Sequence, residues 1–130
     1  QGAIFLIIDS DVIIWSLRGN EKAQAIIAEQ IPFKISVVTY MEIVQGMRNR
    51  KELEAFVRQL RKWSVAVLQI DRDISTRAMA YIEEYHLSHS LEIADALIAA
   101  TAIESREHLL TANDKHYRFV KTLKVEKFRP

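Results

Sequence analysis

Four carboxylate residues, Asp9, Glu42, Asp95 and Asp114, stand where acids are out of place unless they do chemistry. Three of them follow short apolar segments: Ile4–Ile8 (IFLII) leads into Asp9, Phe33–Val38 (FKISVV) into the helix carrying Glu42, and His108–Ala112 (HLLTA) into Asp114. Such runs read as strands buried on both faces, as in a parallel sheet. Asp95 lies in the first turn of Glu92–Ser105 (EIADALIAATAIES), a segment apolar almost all round and therefore a buried helix. An unpaired acid at the mouth of a buried helix is expensive. Like charges gathered in one place raise one another's pKa and resist joint ionisation, and a divalent cation removes the conflict. Oxygen donors without Cys or paired His select a hard ion, Mg²⁺ or Mn²⁺. An acid cluster of this kind suits phosphodiester hydrolysis, in which the cation activates a water and stabilises the entering and leaving oxygens.

Taken singly, each acid has a plainer explanation. Asp9 or Ser10 could N-cap the next helix. Thr39 and Glu42 have the spacing of a capping box. Asp95 sits where a helix dipole favours a carboxylate, and Asp114 opens a short helix. Four coincident caps, three of them at strand ends, are less probable than one shared pocket. Thr111, just before Asp114, could offer its hydroxyl to a phosphate, and Glu92 is placed to assist Asp95.

The elements that must position these groups alternate. Strands are predicted at Ile4–Ile8, Phe33–Val38, Val65–Ile70, His108–Ala112 and, as an edge, Leu123–Phe128. Helices are predicted at Asp11–Leu17, Glu21–Gln30, Thr39–Met47, Asn49–Trp63, Ile74–Tyr85, Glu92–Ser105 and Lys115–Val120. Gly19-Asn20 stops the first helix and Ile31-Pro32 ends the second. Asp71 or Asp73 caps the helix after the third strand, and His86 and His89 flank a surface loop, with no partner that would make them zinc ligands. The pattern is α/β: a central, mostly parallel five-stranded sheet flanked by helices, with the strand C-termini, and hence the acids, on one edge.

A chain of 130 residues is one domain, 1–130, by length, and no linker or repeat divides it. It has no cysteine, which excludes disulfides, thiolate metal sites and Cys nucleophiles. No apolar run is long enough to span a bilayer and no basic secretory n-region opens the chain, so no membrane association and a cytoplasmic location are expected. The formal net charge is +1. With four acids in one pocket the remaining surface is basic, which suits a polyanionic substrate. Arg48, Arg50, Lys51, Arg58, Arg61 and Lys62 concentrate that excess around the fourth predicted helix, either as a solvated face or as a contact for an RNA backbone.

Four stretches together resemble PIN-domain ribonucleases, in particular the VapC-type toxin of bacterial VapBC toxin–antitoxin pairs: IIDSDVIIW (Ile7–Trp15), SVVTYMEIVQGMR (Ser36–Arg48), IADALIAATA (Ile93–Ala102) and LLTANDKHYRF (Leu110–Phe119). The resemblance implies a PIN-like domain and a Mg²⁺- or Mn²⁺-dependent endoribonuclease, with Asp9, Glu42, Asp95 and Asp114 as catalytic acids and metal ligands. Ser10 and Thr111 match hydroxyl positions that line the site. Asp11 stands where many members carry Asn, so it either supports the metal shell or caps its helix. Tyr117 occupies a place often held by Phe. The resemblance further implies an RNA substrate, a homodimer and a small antitoxin partner.

Two other classes compete. A haloacid-dehalogenase-like phosphatase would use Asp9 as nucleophile in Asp9-Ser10-Asp11-Val12, but it needs a later Gly-Asp pair, and none of Gly2, Gly19 and Gly46 precedes an Asp. A non-catalytic RNA- or protein-binding module would keep the fold and use the acids only as caps.

Overall fold

The structure is a computed structural model that describes residues 5–130. Gln1 to Ile4, including the first residue of the predicted opening strand, lie outside the described residues. The strands are β1 (Leu6–Ile8), β2 (Lys34–Ser36), β3 (Ala66–Leu68), β4 (His108–Thr111) and β5 (Val125–Lys127). The helices are α1 (Ser10–Leu17), α2 (Glu21–Gln30), α3 (Val37–Gln45), α4 (Arg50–Lys62), α5 (Arg72–His89) and α6 (Ile93–Ser105).

The α/β class holds, and the sheet is wholly parallel, in the order β3-β2-β1-β4-β5. The chain walks outward from β1 to β3, then returns through α5 and α6 to lay β4 against the other side of β1. Strand order therefore reverses between β1 and β4, the place where open α/β sheets leave a crevice at the strand carboxyl ends. Ile8 pairs with Leu110 in that ladder, so the next residues, Asp9 and Thr111, stand side by side at the crevice.

Both faces of the sheet are covered, as continuous apolar strands require. Successive strand residues point to opposite faces. Ile7 and Leu109 join Ala96, Ile98, Ala99 and Tyr81 under α5 and α6. Leu6, Ile8 and Leu110 join Val12, Ile27, Ile43 and Phe56 under α1 to α4. Gly19, at φ 93°, makes the turn after α1 in a conformation that L side chains avoid.

Three local expectations are corrected. The helix predicted to open at Thr39 begins earlier, at Val37, with the Ser36 hydroxyl accepting from the Val38 N–H at 3.0 Å, so the capping box, the plainer reading of Glu42, does not form. Ser36 ends β2 in extended backbone, which is what a cap needs; Thr39 is carried inward and Glu42 is freed for another partner. The helix predicted to stop at Tyr85 runs on to His89, so His86 and His89 are helical, not loop residues. Tyr85 and His89 both pack on the Phe119 ring, with centroids at 5.0 and 4.3 Å, and this tertiary contact holds the last turn. The helix predicted over Lys115–Val120 is only a 3₁₀ turn, Asp114–His116. Asp71, not Asp73, caps α5, accepting from the Ile74 N–H at 2.8 Å.

Candidate active site

Asp9 is the hub. It is buried, 6% exposed, and N-caps α1, its Oδ1 accepting from the Ser10 N–H at 2.8 Å. Its other oxygen, Oδ2, accepts from the Thr111 hydroxyl at 2.9 Å and lies 3.1 Å from the Tyr117 hydroxyl. One carboxylate therefore both caps α1 and faces the crevice, because α1 starts at the strand end that forms it.

Two hydroxyls connect Asp9 to the other acids. Tyr117 Oη is also 3.1 Å from Asp95 Oδ1, so β1 and α6 are joined through one phenol. The Ser10 hydroxyl donates to Glu42 Oε1 at 3.1 Å and lies 3.5 Å from Asp9 Oδ1, linking α1 with α3. Asp9, Asp95 and Glu42, separated by up to 86 positions in the chain, thus meet at one rim. Asp114 is not tied to them. Its carboxylate pairs with Lys127 of β5 at 3.4 Å, and its backbone carbonyl anchors the turn by accepting from Tyr117 and Arg118.

Asp11 stitches α1 to the end of β4. Its Oδ2 accepts from the Ala112 N–H and the Asn113 side-chain amide, both at 3.0 Å, and its Oδ1 accepts from the Val12 N–H at 2.7 Å. Glu92 precedes α6 without a side-chain cap bond. It is exposed, yet its charge is felt at Asp95. Sequence reasoning gave Tyr117 no role; the only signal was a phenol oxygen in an otherwise apolar stretch. It also missed His116, whose Nδ1 lies 3.6 Å from Asp95 Oδ2.

The electrostatics are those of crowded acids. Burial, with the Asp9 charge added, pushes Asp11 up to about 6. Burial likewise holds Glu42 above its usual range, opposed by the Ser10 hydrogen bond and aided by the Asp9 and Asp95 charges. Asp95 is raised by burial, against the Tyr117 and His116 contacts that favour its anion. Such groups bind their protons more readily folded than unfolded. Stability of the metal-free protein should therefore rise as pH falls from ~8 to ~5, by about 1–2 kcal/mol after allowance for solvent at the site, and the gain should level off near the unfolded carboxyl range. Thermal unfolding in chelator across that range checks this; a saturating divalent cation should flatten the profile, and a metal-free protein that loses stability on acidification would contradict it.

The donor set fits a hard divalent cation: oxygen ligands only, mutually repelling, at a rim open to solvent. Among the described residues no three His, Asp or Glu side chains are already gathered at ligand spacing; hydroxyls stand between the acids. Two hollows flank the rim. A cleft of about 660 Å³ lies between α1, α3 and α4 with Glu42 at its edge. A smaller one of about 140 Å³ is lined by Asp95, Glu92, Lys115 and His116.

Comparison with known proteins agrees with this fold. A PIN domain model matches residues 6–122. The chain is 34% identical over 123 residues to Ribonuclease VapC10 of Mycobacterium tuberculosis, covering 92% of this chain and 90% of that protein. It is 30% identical over 118 residues to Ribonuclease VapC19 of the same organism, covering 85% and 90%. Among solved structures, a toxin–antitoxin complex from Klebsiella pneumoniae aligns with a TM-score of 0.77 at 28% identity, over 95% of this chain and 96% of that one. The DNA-bound VapBC of Salmonella typhimurium shares the fold, with a TM-score of 0.80 at 17% identity over 96% and 98%.

Proposed function

This chain belongs to the PIN domain family, and from that premise we propose that it is a Mg²⁺- or Mn²⁺-dependent endoribonuclease, the toxin of a toxin–antitoxin pair, inhibited by a cognate antitoxin protein. The observation that carries this reading is the linkage of Asp9, Asp95 and Glu42 through the Tyr117 and Ser10 hydroxyls at the β1/β4 crevice. The relatives named as ribonucleases, matched over most of their length, support the choice of RNA as substrate.

Asp9 and Asp95 would hold the cation, with Glu42 completing the linked set and Asp114, paired with Lys127, joining it on leaving that partner; Ser10, Asp11, Thr111 and Glu92 support them. The cation supplies an activated water and neutralises charge that develops on the phosphodiester. The chain's own residues prepare the site. The Thr111 hydroxyl and the Ser10 N–H at the start of α1 keep the Asp9 carboxylate fixed. Asp11 locks the loop that follows Thr111 at the end of β4, through Ala112 and Asn113. Glu42, exposed on α3, is free to turn between Ser10 and an incoming ligand. Lys115 offers positive charge and His116 an imidazole beside Asp95, where an RNA backbone would pass.

The test is cleavage of a defined single-stranded RNA by purified protein. Activity is expected with Mn²⁺ or Mg²⁺ and should drop at least ~100-fold when the cation is chelated, returning on its re-addition. RNA binding that survives chelation without any cleavage would favour a non-catalytic module. Turnover of an aryl phosphate with RNA left intact would favour the phosphatase chemistry.

A further inference from the structure

Tyr117 is 1% exposed, and its ring is packed in the core under α5 and α6. A Phe would fill nearly the same volume with no polar atom to satisfy. A buried phenol needs partners, and both of this one's are carboxylates, Asp9 Oδ2 and Asp95 Oδ1, each at 3.1 Å. The ring cannot easily drift away: the Tyr117 N–H donates to the Asp114 carbonyl at 2.9 Å, and the Tyr117 carbonyl accepts from the Val120 N–H at 2.9 Å.

The two acids depend on it unequally. Asp9 also has the Ser10 N–H and the Thr111 hydroxyl. Among the described residues Asp95 has, besides Tyr117, only His116 at 3.6 Å. A phenol has a single proton to give, so it can donate to only one carboxylate at a time. The second oxygen is held at the same short range but left in want of positive charge.

We infer that Tyr117 is a positioning residue for the cation site: its hydroxyl sets the spacing of the Asp9 and Asp95 carboxylates and holds Asp95 ready to receive a divalent cation. The inference rests on the reading of this rim as a metal-dependent nuclease site and adds to it the group that pre-arranges the ligands. Partners that orient metal ligands in this way contribute strongly to affinity.

The experiment compares the full chain with Tyr117→Phe. Mn²⁺ is titrated into each protein without RNA, with free Mn²⁺ read by electron paramagnetic resonance and the fold checked by circular dichroism. Tyr117→Phe is expected to bind Mn²⁺ about tenfold more weakly, and to need correspondingly more Mn²⁺ for half-maximal RNA cleavage, while kcat at saturating Mn²⁺ stays within about threefold. A purely structural role would lower the melting temperature and leave the Mn²⁺ constant alone. Weakening of about threefold or more supports the inference, and a smaller change, or tighter binding, overturns it. If the parent protein itself binds no Mn²⁺, the nuclease reading fails first and this inference with it.

Should Tyr117→Phe not fold, the parent labelled with 3-fluorotyrosine gives a second readout. The Tyr117 signal is assigned by replacing Tyr40, Tyr81 and Tyr85 with Phe one at a time, these four being all the tyrosines. That signal should shift on Mg²⁺ titration, and a signal that stays still at saturating Mg²⁺ overturns the inference.

Discussion

Asp95→Asn should lower RNA cleavage at least ~100-fold while leaving the fold intact, the scale set by losing one electrostatic stabiliser at a reacting centre. Asn keeps the shape of Asp95 and can still accept the Tyr117 hydroxyl hydrogen bond seen at 3.1 Å. What disappears is the charge. That charge is held at a disadvantage: burial raises Asp95 above its usual range, with the Asp9 and Glu92 charges adding to it. The variant should therefore melt no lower than the parent in chelator at neutral pH, and gain up to ~1 kcal/mol once solvent screening is allowed for. The parent, by contrast, should be stabilised by Mn²⁺ through mass action, a gain the variant should largely lose. Cleavage of a fluorogenic RNA and melting with and without Mn²⁺ measure both quantities. Parent-like activity in Asp95→Asn would remove Asp95 from the mechanism; normal melting with lost cleavage would separate chemistry from folding.

Thr111→Val should be the opposite kind of change, costly to both stability and activity. Thr111 is fully buried at the end of β4. Its hydroxyl donates to Asp9 Oδ2 at 2.9 Å, lies 3.3 Å from Asp11 Oδ2, and accepts from the Asn113 N–H at 3.1 Å. Val fills the space but leaves the part-buried Asn113 N–H without its acceptor and buried Asp9 one donor short, an expected loss of ~1–3 kcal/mol. Because Asp9 also loses its orientation, cleavage should fall about 10- to 100-fold even where the variant is folded. Thr111→Ser keeps the hydroxyl and gives up one methyl group, so it should lose only ~1 kcal/mol and stay within several-fold of parent activity. Urea unfolding and cleavage rates on the three proteins decide this. Equal stability of Thr111→Val and parent would mean that the hydroxyl contacts contribute nothing net.

Both expectations depend on residues that the chain's own pattern exposes to different degrees. Leu6–Ile8 and His108–Thr111 announce buried parallel strands because residues on both faces are apolar, and the faces are indeed claimed by two separate cores. The uniformly apolar α6 marks Asp95 as an acid in the wrong company. Asp9 could be read as a cap or as a ligand from its place after β1; the cap is seen in its bond from the Ser10 N–H, and the ligand role belongs to the proposed function. Where the pattern misled, a local rule met a nearby competitor. Ser36 took the cap that Thr39 was expected to fill, and Phe119 drew α5 one turn past Tyr85.

What the sequence determined by itself was the class of the fold and the kind of atoms at the site: alternation of apolar strands and helices, no cysteine, and acids at strand ends. These follow from burial and propensity, which act over a few neighbouring residues. Only the tertiary structure decided which groups meet. It sent Glu42 to Ser10, paired Asp114 with Lys127, and set a single tyrosine hydroxyl between Asp9 and Asp95. Such contacts depend on strand order and on ångström-scale placement of side chains up to 108 positions apart, and neither is written in any local stretch of the chain.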